Sequence, residues 1–182
     1  LTAAGGAASV FGASSGAALG LRAAAAGLPL RKLAMYEPPF VQEGASAREP
    51  DHIAALRQLL ARGQRGAAVK YFMQDMVHAP AAVVLMMRCL FPVWAKLKAV
   101  AHTLPYDAAI MGDWRVPVAR ASEVKVPSLV LHGGKTDARL RRGAHALAAA
   151  VPGAEHGELA GQDHNAQAKV LAPVLRAFFE RP

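Results

Sequence analysis

Cysteine is almost absent from this sequence, which has one, Cys89, among 182 residues. A single cysteine allows no intrachain disulfide and no metal site built from thiolates, and this is typical of a protein in a reducing cytoplasm. The seven histidines are dispersed along the chain, and their spacing matches no metal-ligand motif. We therefore expect a cytoplasmic protein with no metal site and no cofactor.

Aromatic and acidic residues are also scarce. Aromatics make up 6% of the chain, and 13 acidic residues against 21 basic ones give a formal net charge of +8. The densest basic group, Arg139, Arg141 and Arg142, lies on one predicted helix, and no aromatic residues alternate with it as a surface for stacked bases requires. We therefore expect a solvated basic face that can steer anionic substrates, and no nucleic-acid partner.

Long hydrophobic runs are missing as well. The longest, residues 79–87, is far shorter than the roughly 20 residues that cross a bilayer. No signal-peptide pattern is present, although the chain begins at Leu1 rather than at a methionine, so this absence says little. We expect no membrane partner.

Apolar residues are nevertheless plentiful, at 53% of the chain, and their pattern alternates between strands and helices. The pattern predicts strands at 8–11, 31–36, 128–132 and 154–159, and helices at 14–26, 138–151 and 166–180. Such alternation favours an α/β fold with a parallel sheet and right-handed crossovers. The sheet domain would comprise residues 1–40 and 116–182.

The segment between these parts, residues 41–115, has helical patterns at 50–63, 66–77, 80–89 and 93–103 and is predicted to be a helical cap. It contains five of the six methionines: Met73, Met76, Met86, Met87 and Met111. These can be ordinary helix core, or their soft thioethers can line an apolar pocket, and the two interpretations are compatible.

The stretch Gly12-Ala13-Ser14-Ser15-Gly16 joins the first predicted strand to the first helix. Gly-x-Ser-x-Gly in that position is the pattern of a nucleophile elbow, whose strained turn projects the serine hydroxyl above the sheet edge. We expect the residues two before and two after the serine to be small because strand and helix would otherwise collide. The N–H of Ser15, at the helix start, is placed to donate to an oxyanion.

A serine hydroxyl needs a base, and the base needs an orienting acid. The loops after parallel strands open at one edge of a sheet, and Ser14, Asp137 and His164 each follow a predicted strand. Their chain order is the one expected for an elbow-bearing sheet. The sequence therefore predicts a triad of Ser14, Asp137 and His164.

The acid is the least determined member of this triad. Asp137 lies five residues beyond His132, so its loop can misplace it, and Glu37 ends the second strand on the same edge. Asp163 adjoins His164, and neighbours in a loop rarely orient each other's side chains. Glu37 is the alternative acid. The remaining alternatives are Asp107, Asp113 and a site with no acid at all.

Three motifs together resemble the α/β-hydrolase superfamily: the elbow at 12–16, Pro-Ser-Leu-Val-Leu-His-Gly-Gly at 127–134, and Gly-Gln-Asp-His at 161–164. The likeness covers nearly the whole chain and corresponds to the part of the fold from strand five onward, with a helical cap insert. It implies Ser14 as nucleophile, Ser15 as one oxyanion donor and His164 as base. Asp137 matches the acid only loosely, because the family's acid falls nearer its strand.

The resemblance lacks counterparts for the family's first four strands and for the loop that gives a second oxyanion donor. We therefore expect these residues to be a fragment of a longer chain, or a truncated relative that pairs with another chain, with a homo-oligomer as one such pairing. The expected activity is hydrolysis of an ester, or else an amide or thioester, of a small apolar substrate. The alternatives are a non-catalytic domain that binds a ligand or partner, and lyase or cofactor-free haloperoxidase chemistry on the same fold.

Overall fold

A computed structural model describes residues 1–41 and 51–181. Within them, a four-stranded parallel sheet has its strands in chain order, β1-β2-β3-β4. The strands span β1 Ala8–Ala13, β2 Leu30–Tyr36, β3 Ser128–Gly133 and β4 Glu155–Leu159. All four predicted strands are present, and each observed strand lies within two residues of its predicted bounds.

Nine α-helices accompany the sheet in the described part of the chain: α1 Ser15–Ala25, α2 His52–Ala61, α3 Arg65–Tyr71, α4 Ala81–Cys89, α5 Phe91–Val100, α6 Leu104–Met111, α7 Val118–Ala121, α8 Ala138–Ala150 and α9 Ala168–Glu180. A π-helical turn, Phe72–Met76, extends α3, and 3₁₀ turns lie at Thr2–Ala4 and Ala101–Thr103. The short helices α6 and α7 were not predicted from the sequence. In α6 the reason is Pro105, which suggests a helix end but occupies the first turn, where proline is tolerated.

Helices cover both faces of the sheet. Side chains alternate along a strand, so Leu33 and Val130 face one way while Tyr36 and Leu131 face the other. α1 and α8 pack on the first face, where α1 approaches so closely that a Cβ on Gly20 would lie 2.8 Å from Leu33 Cδ1. α9 packs on the second face, as its apolar stripe predicts. There, Phe178 of α9 and five side chains of the sheet form a buried apolar cluster, whose sheet members are Ala34, Tyr36, Leu129, Leu131 and Leu159.

The register of the strands aligns their carboxyl ends. Ala13 pairs with Tyr36, Tyr36 with Leu131, and Gly133 with Leu159. The next residues of all four strands therefore lie along one edge of the sheet, where parallel α/β sheets place their sites.

The described residues divide into two compact units, one of 1–41 with 113–181 and the other of 51–112. The second unit is helical and has its own buried side chains, among them Leu56, Met76 and Met111. Met86 is exposed, so the methionines of this unit do not share one environment. That the unit serves as a cap stays a prediction. None of the helices in the described residues has the length and apolar character needed to cross a membrane.

Candidate active site

Ser14 lies at the sharp turn between β1 and α1. Its backbone has φ 54° and ψ −128°, a positive φ that is strained for any residue with a side chain. The Ser14 N–H donates to the Tyr36 carbonyl at 2.9 Å, which fixes the turn to the neighbouring strand. The fold thus holds a half-buried serine in a strained conformation at the carboxyl edge of the sheet.

The two glycines that flank the turn are not equivalent. A Cβ on Gly12 would lie 2.3 Å from the Gly16 carbonyl oxygen, so strand and helix touch at Gly12. A Cβ on Gly16 would meet nothing within 4 Å. The expectation that both positions must be small is therefore corrected, because only the earlier glycine is enclosed.

Glu37 is the first residue after β2. It directly follows Tyr36, whose carbonyl accepts the hydrogen bond from Ser14. Its side chain is 0% exposed, and its backbone also has a positive φ, 46°. One carboxylate oxygen, Oε1, accepts hydrogen bonds from the Gly133 N–H at 2.7 Å and from the Thr136 hydroxyl. The other, Oε2, lies 2.6 Å from Nδ1 of His164.

These contacts decide the charge of Glu37. Burial by itself raises the pKa of the carboxyl, but the hydrogen bonds from His164, Thr136 and Gly133 outweigh burial and bring the pKa below its ordinary value. Glu37 is therefore a buried carboxylate whose oxygens accept hydrogen bonds from the end of β3 and from the loops after β3 and β4.

His164 lies in the loop after β4, with its side chain 43% exposed. Because an ionised carboxylate only accepts hydrogen bonds, the contact with Glu37 places a proton on Nδ1 and leaves the lone pair on Nε2. A hydrogen bond holds the His164 loop against the sheet: the hydroxyl of Tyr36, on β2, donates to the carbonyl of Asp163. Burial is also the main cause that raises the pKa of Tyr36, so this phenol stays a donor.

Asp137 is not at this pair. It is the N-cap of α8, where its Oδ1 accepts from the Arg139 N–H at 2.8 Å and from Arg139 Nε at 3.1 Å. Its side chain is 53% exposed. The expectation that Asp137 orients His164 is corrected: the exit loop of β3 turns this carboxylate into a helix cap, and the alternative acid, Glu37, faces the imidazole.

Two of the other acidic residues have local partners. Asp163 accepts from the Asn165 N–H at 2.8 Å, and Asp113 accepts from the Arg115 N–H at 3.1 Å. Asp107 lies in the first turn of α6, in the helical unit.

The chain is similar over almost its whole length to an α/β hydrolase from Sphaerobacter thermophilus. The two share 46% sequence identity, with a TM-score of 0.87, and the match covers 98% of this chain and 69% of that one. The chain belongs to the α/β hydrolases. This bears out the resemblance of the three motifs and places the chain with the hydrolases at the level of the family.

Solved structures with lower sequence identity to the present chain share its fold. An enol-lactonase from Burkholderia xenovorans is 17% identical with a TM-score of 0.63, covering 97% of this chain and 66% of that one. A bromoperoxidase from Bacillus anthracis is 15% identical with a TM-score of 0.59, covering 95% and 67%. No protein-family model matches the chain, and no curated protein sequence does either.

Ser15 begins α1 directly after the strained serine. The N–H groups of the first helical turn have no acceptor within the helix and point along its axis, where the helix dipole favours negative charge. The Ser15 N–H is therefore available to an anion at this edge of the sheet.

Three other histidines of this α/β hydrolase lie close to one another. The rings of His145 and His156 have centroids 4.0 Å apart, and His132 lies 5.0 Å from His156 and 5.3 Å from His145. Burial lowers the pKa of His156, and the neighbouring His145 and His132 lower it further. Sequence reasoning expected these side chains to be dispersed.

Sequence reasoning also missed the residues that hold the Glu37–His164 pair. Gly133 and Thr136 donate to Glu37, and Tyr36 fixes the histidine loop. A signal existed for Glu37 itself, because it directly follows a predicted strand and so lies at the same end of the sheet as Ser14 and His164. No signal in the sequence distinguishes Thr136 from other loop residues. Its contact with Glu37 exists only in the folded chain, because the two residues are far apart in the sequence.

Proposed function

We propose that this α/β hydrolase is a serine hydrolase in which Ser14 is the nucleophile, His164 the base and Glu37 the acid. The proposal rests on the buried Glu37 carboxylate, which lies 2.6 Å from Nδ1 of His164 and directly follows β2, the strand that pairs with β1. A base oriented through Nδ1 presents Nε2, which is the arrangement that activates a hydroxyl.

The proposed reaction begins when the Ser14 oxygen attacks the substrate carbonyl and its proton passes to Nε2 of His164. The carboxylate of Glu37 stabilises the imidazolium and keeps its orientation. The Ser15 N–H donates to the oxyanion of the tetrahedral intermediate. His164 then protonates the leaving group, and water, activated by the same imidazole, hydrolyses the acyl-enzyme.

We propose an ester of a small apolar molecule as the substrate, with amides and thioesters as the other acyl classes. Membership of the α/β hydrolases supports hydrolysis as the reaction. The methionine-rich helical unit supports an apolar substrate, because thioether side chains pack well against apolar groups. The substrate class is tested by comparing the rates at which the protein hydrolyses short esters, thioesters and anilides that carry the same acyl group.

The nucleophile is tested with a fluorophosphonate probe, which forms a covalent bond with activated serines. The wild type should be labelled, with the adduct on the peptide that contains Ser14, and Ser14→Ala should abolish labelling. Ser15→Ala is the matched control: it removes the adjacent hydroxyl and keeps the backbone N–H, so its labelling should equal the wild type. Equal labelling of wild type and Ser14→Ala would overturn the proposal.

A further inference from the structure

A second group of chemically active side chains includes none of Ser14, Glu37 and His164. His132, His145 and His156 each offer one imidazole nitrogen, and these three nitrogens all lie within 4.8 Å of one another. The three residues are far apart in the sequence and come from three elements, β3, α8 and β4. We call them the histidine cluster.

The sheet register and one helix build the cluster. His156 pairs with Val130, and His132 lies two residues further along β3, so both side chains leave the sheet on the same face. This is the face on which α8 packs, and His145 lies in the middle of that helix. The convergence therefore rests on regular elements, which position ligands more rigidly than loops do.

A backbone contact assigns the tautomer of His132, the buried member of the cluster. His132 is 2% exposed, and its Nδ1 lies 3.1 Å from the Gly133 carbonyl oxygen. A carbonyl only accepts, so Nδ1 carries the proton and Nε2 carries the lone pair. A backbone carbonyl on the other ring nitrogen is the usual partner of a metal-binding histidine.

The donor set selects a class of ion. Three neutral imidazoles suit Zn²⁺, Ni²⁺ and Cu²⁺, whereas Mg²⁺ and Ca²⁺ prefer oxygen ligands. His145 and His156 are exposed, so an ion can enter from solvent without unfolding of the chain.

We propose that His132, His145 and His156 bind a divalent transition-metal ion, Zn²⁺ in the first instance, with a fourth position open to water. Three protein ligands and one exchangeable position are a common arrangement for zinc. The ion would tie α8 to the edge strand β4. The site shares no residue with the proposed triad, and the proposal does not depend on the proposed function.

The test is calorimetric titration of the chelator-treated chain with ZnCl₂, together with thermal unfolding with and without the ion. We expect one Zn²⁺ per chain, a raised melting temperature and no response to MgCl₂. His145→Gln and His156→Gln should each weaken Zn²⁺ binding by at least about tenfold, since even indirect partners of a ligand cost that much. Co²⁺ should give the visible absorption bands of a low-coordinate nitrogen site, and these should be lost in both variants.

His102→Gln is the matched control, because His102 is also exposed but lies in the helical unit. It should bind Zn²⁺ as the wild type does. Circular dichroism checks that the two exposed-site variants are folded. The proposal is overturned if the folded wild type binds no Zn²⁺ saturably, or if His145→Gln and His156→Gln bind it as tightly as the wild type.

Discussion

At the scale of single residues, two carboxylates close to one edge of the sheet have opposite environments. Glu37 is fully buried and contacts His164, whereas Asp137 is half exposed and caps α8. A buried carboxylate that orients an imidazole stabilises the imidazolium in the transition state, and a capping carboxylate has no such effect. The two side chains can therefore be distinguished by activity.

Glu37→Gln should lower kcat for ester hydrolysis by roughly 10²–10⁴-fold, because an amide neither stabilises the imidazolium nor selects the correct tautomer. Steady-state kinetics on a short acyl ester measures this, with KM expected to change little.

Asp137→Asn is the matched control for that loss. Asparagine is as good an N-cap as aspartate, and an exposed ion pair with Arg139 contributes little to stability, so both fold and kcat should be retained. A larger loss of kcat in Asp137→Asn than in Glu37→Gln would contradict the assignment of the acid.

At the scale of elements, the β1–α1 junction determines where the serine lies. The helix begins at Ser15 directly after the strained residue, and the Gly12 backbone touches the Gly16 carbonyl across the turn. Gly16 faces open space and belongs to the helix, where glycine costs roughly 0.5–1 kcal/mol relative to alanine.

Gly12→Ala should destabilise the chain and lower its fluorophosphonate labelling, since the new methyl would overlap a backbone carbonyl and displace strand from helix. Gly16→Ala should instead raise the free energy of unfolding by roughly 0.5–1 kcal/mol. Urea unfolding of the two variants and the wild type measures both changes. Equal destabilisation by the two alanines would show that the turn is enclosed on both sides.

At the scale of the whole molecule, the buried carboxylate links stability to pH. The folded state holds the pKa of Glu37 below its ordinary value of 4.5, so the unfolded chain binds its proton more readily. The charged form therefore stabilises the fold above that pH. This contribution is lost as the pH falls through the folded-state pKa.

The free energy of unfolding of the wild type should thus fall more steeply below about pH 4.5 than that of Glu37→Gln. Urea unfolding at a series of pH values from neutral to acidic measures the difference between the two proteins. The difference in free energy of unfolding between wild type and Glu37→Gln should shrink as the solution becomes acidic. A difference that stays constant with pH would show that the fold does not lower the pKa of Glu37.

Local sequence patterns are sufficient to predict the parallel sheet and the strained turn at Ser14. Apolar runs of strand length alternate with amphipathic helices, and a Gly-x-Ser-x-Gly turn between them is local information, because it concerns residues adjacent in the chain. For the same reason the sequence located His164 in a loop after a strand. These features depend on hydrophobic periodicity and on backbone conformation, both of which a short segment specifies.

Packing between distant segments determines which acid contacts the imidazole of His164 and which histidines converge. Asp137 and Glu37 both follow strands, and only the path of the β3 exit loop turns one into a cap and leaves the other facing His164. His132, His145 and His156 converge because of strand register and the position of α8, which no local pattern encodes. Contacts between residues distant in sequence depend on packing, and packing is a property of the folded whole.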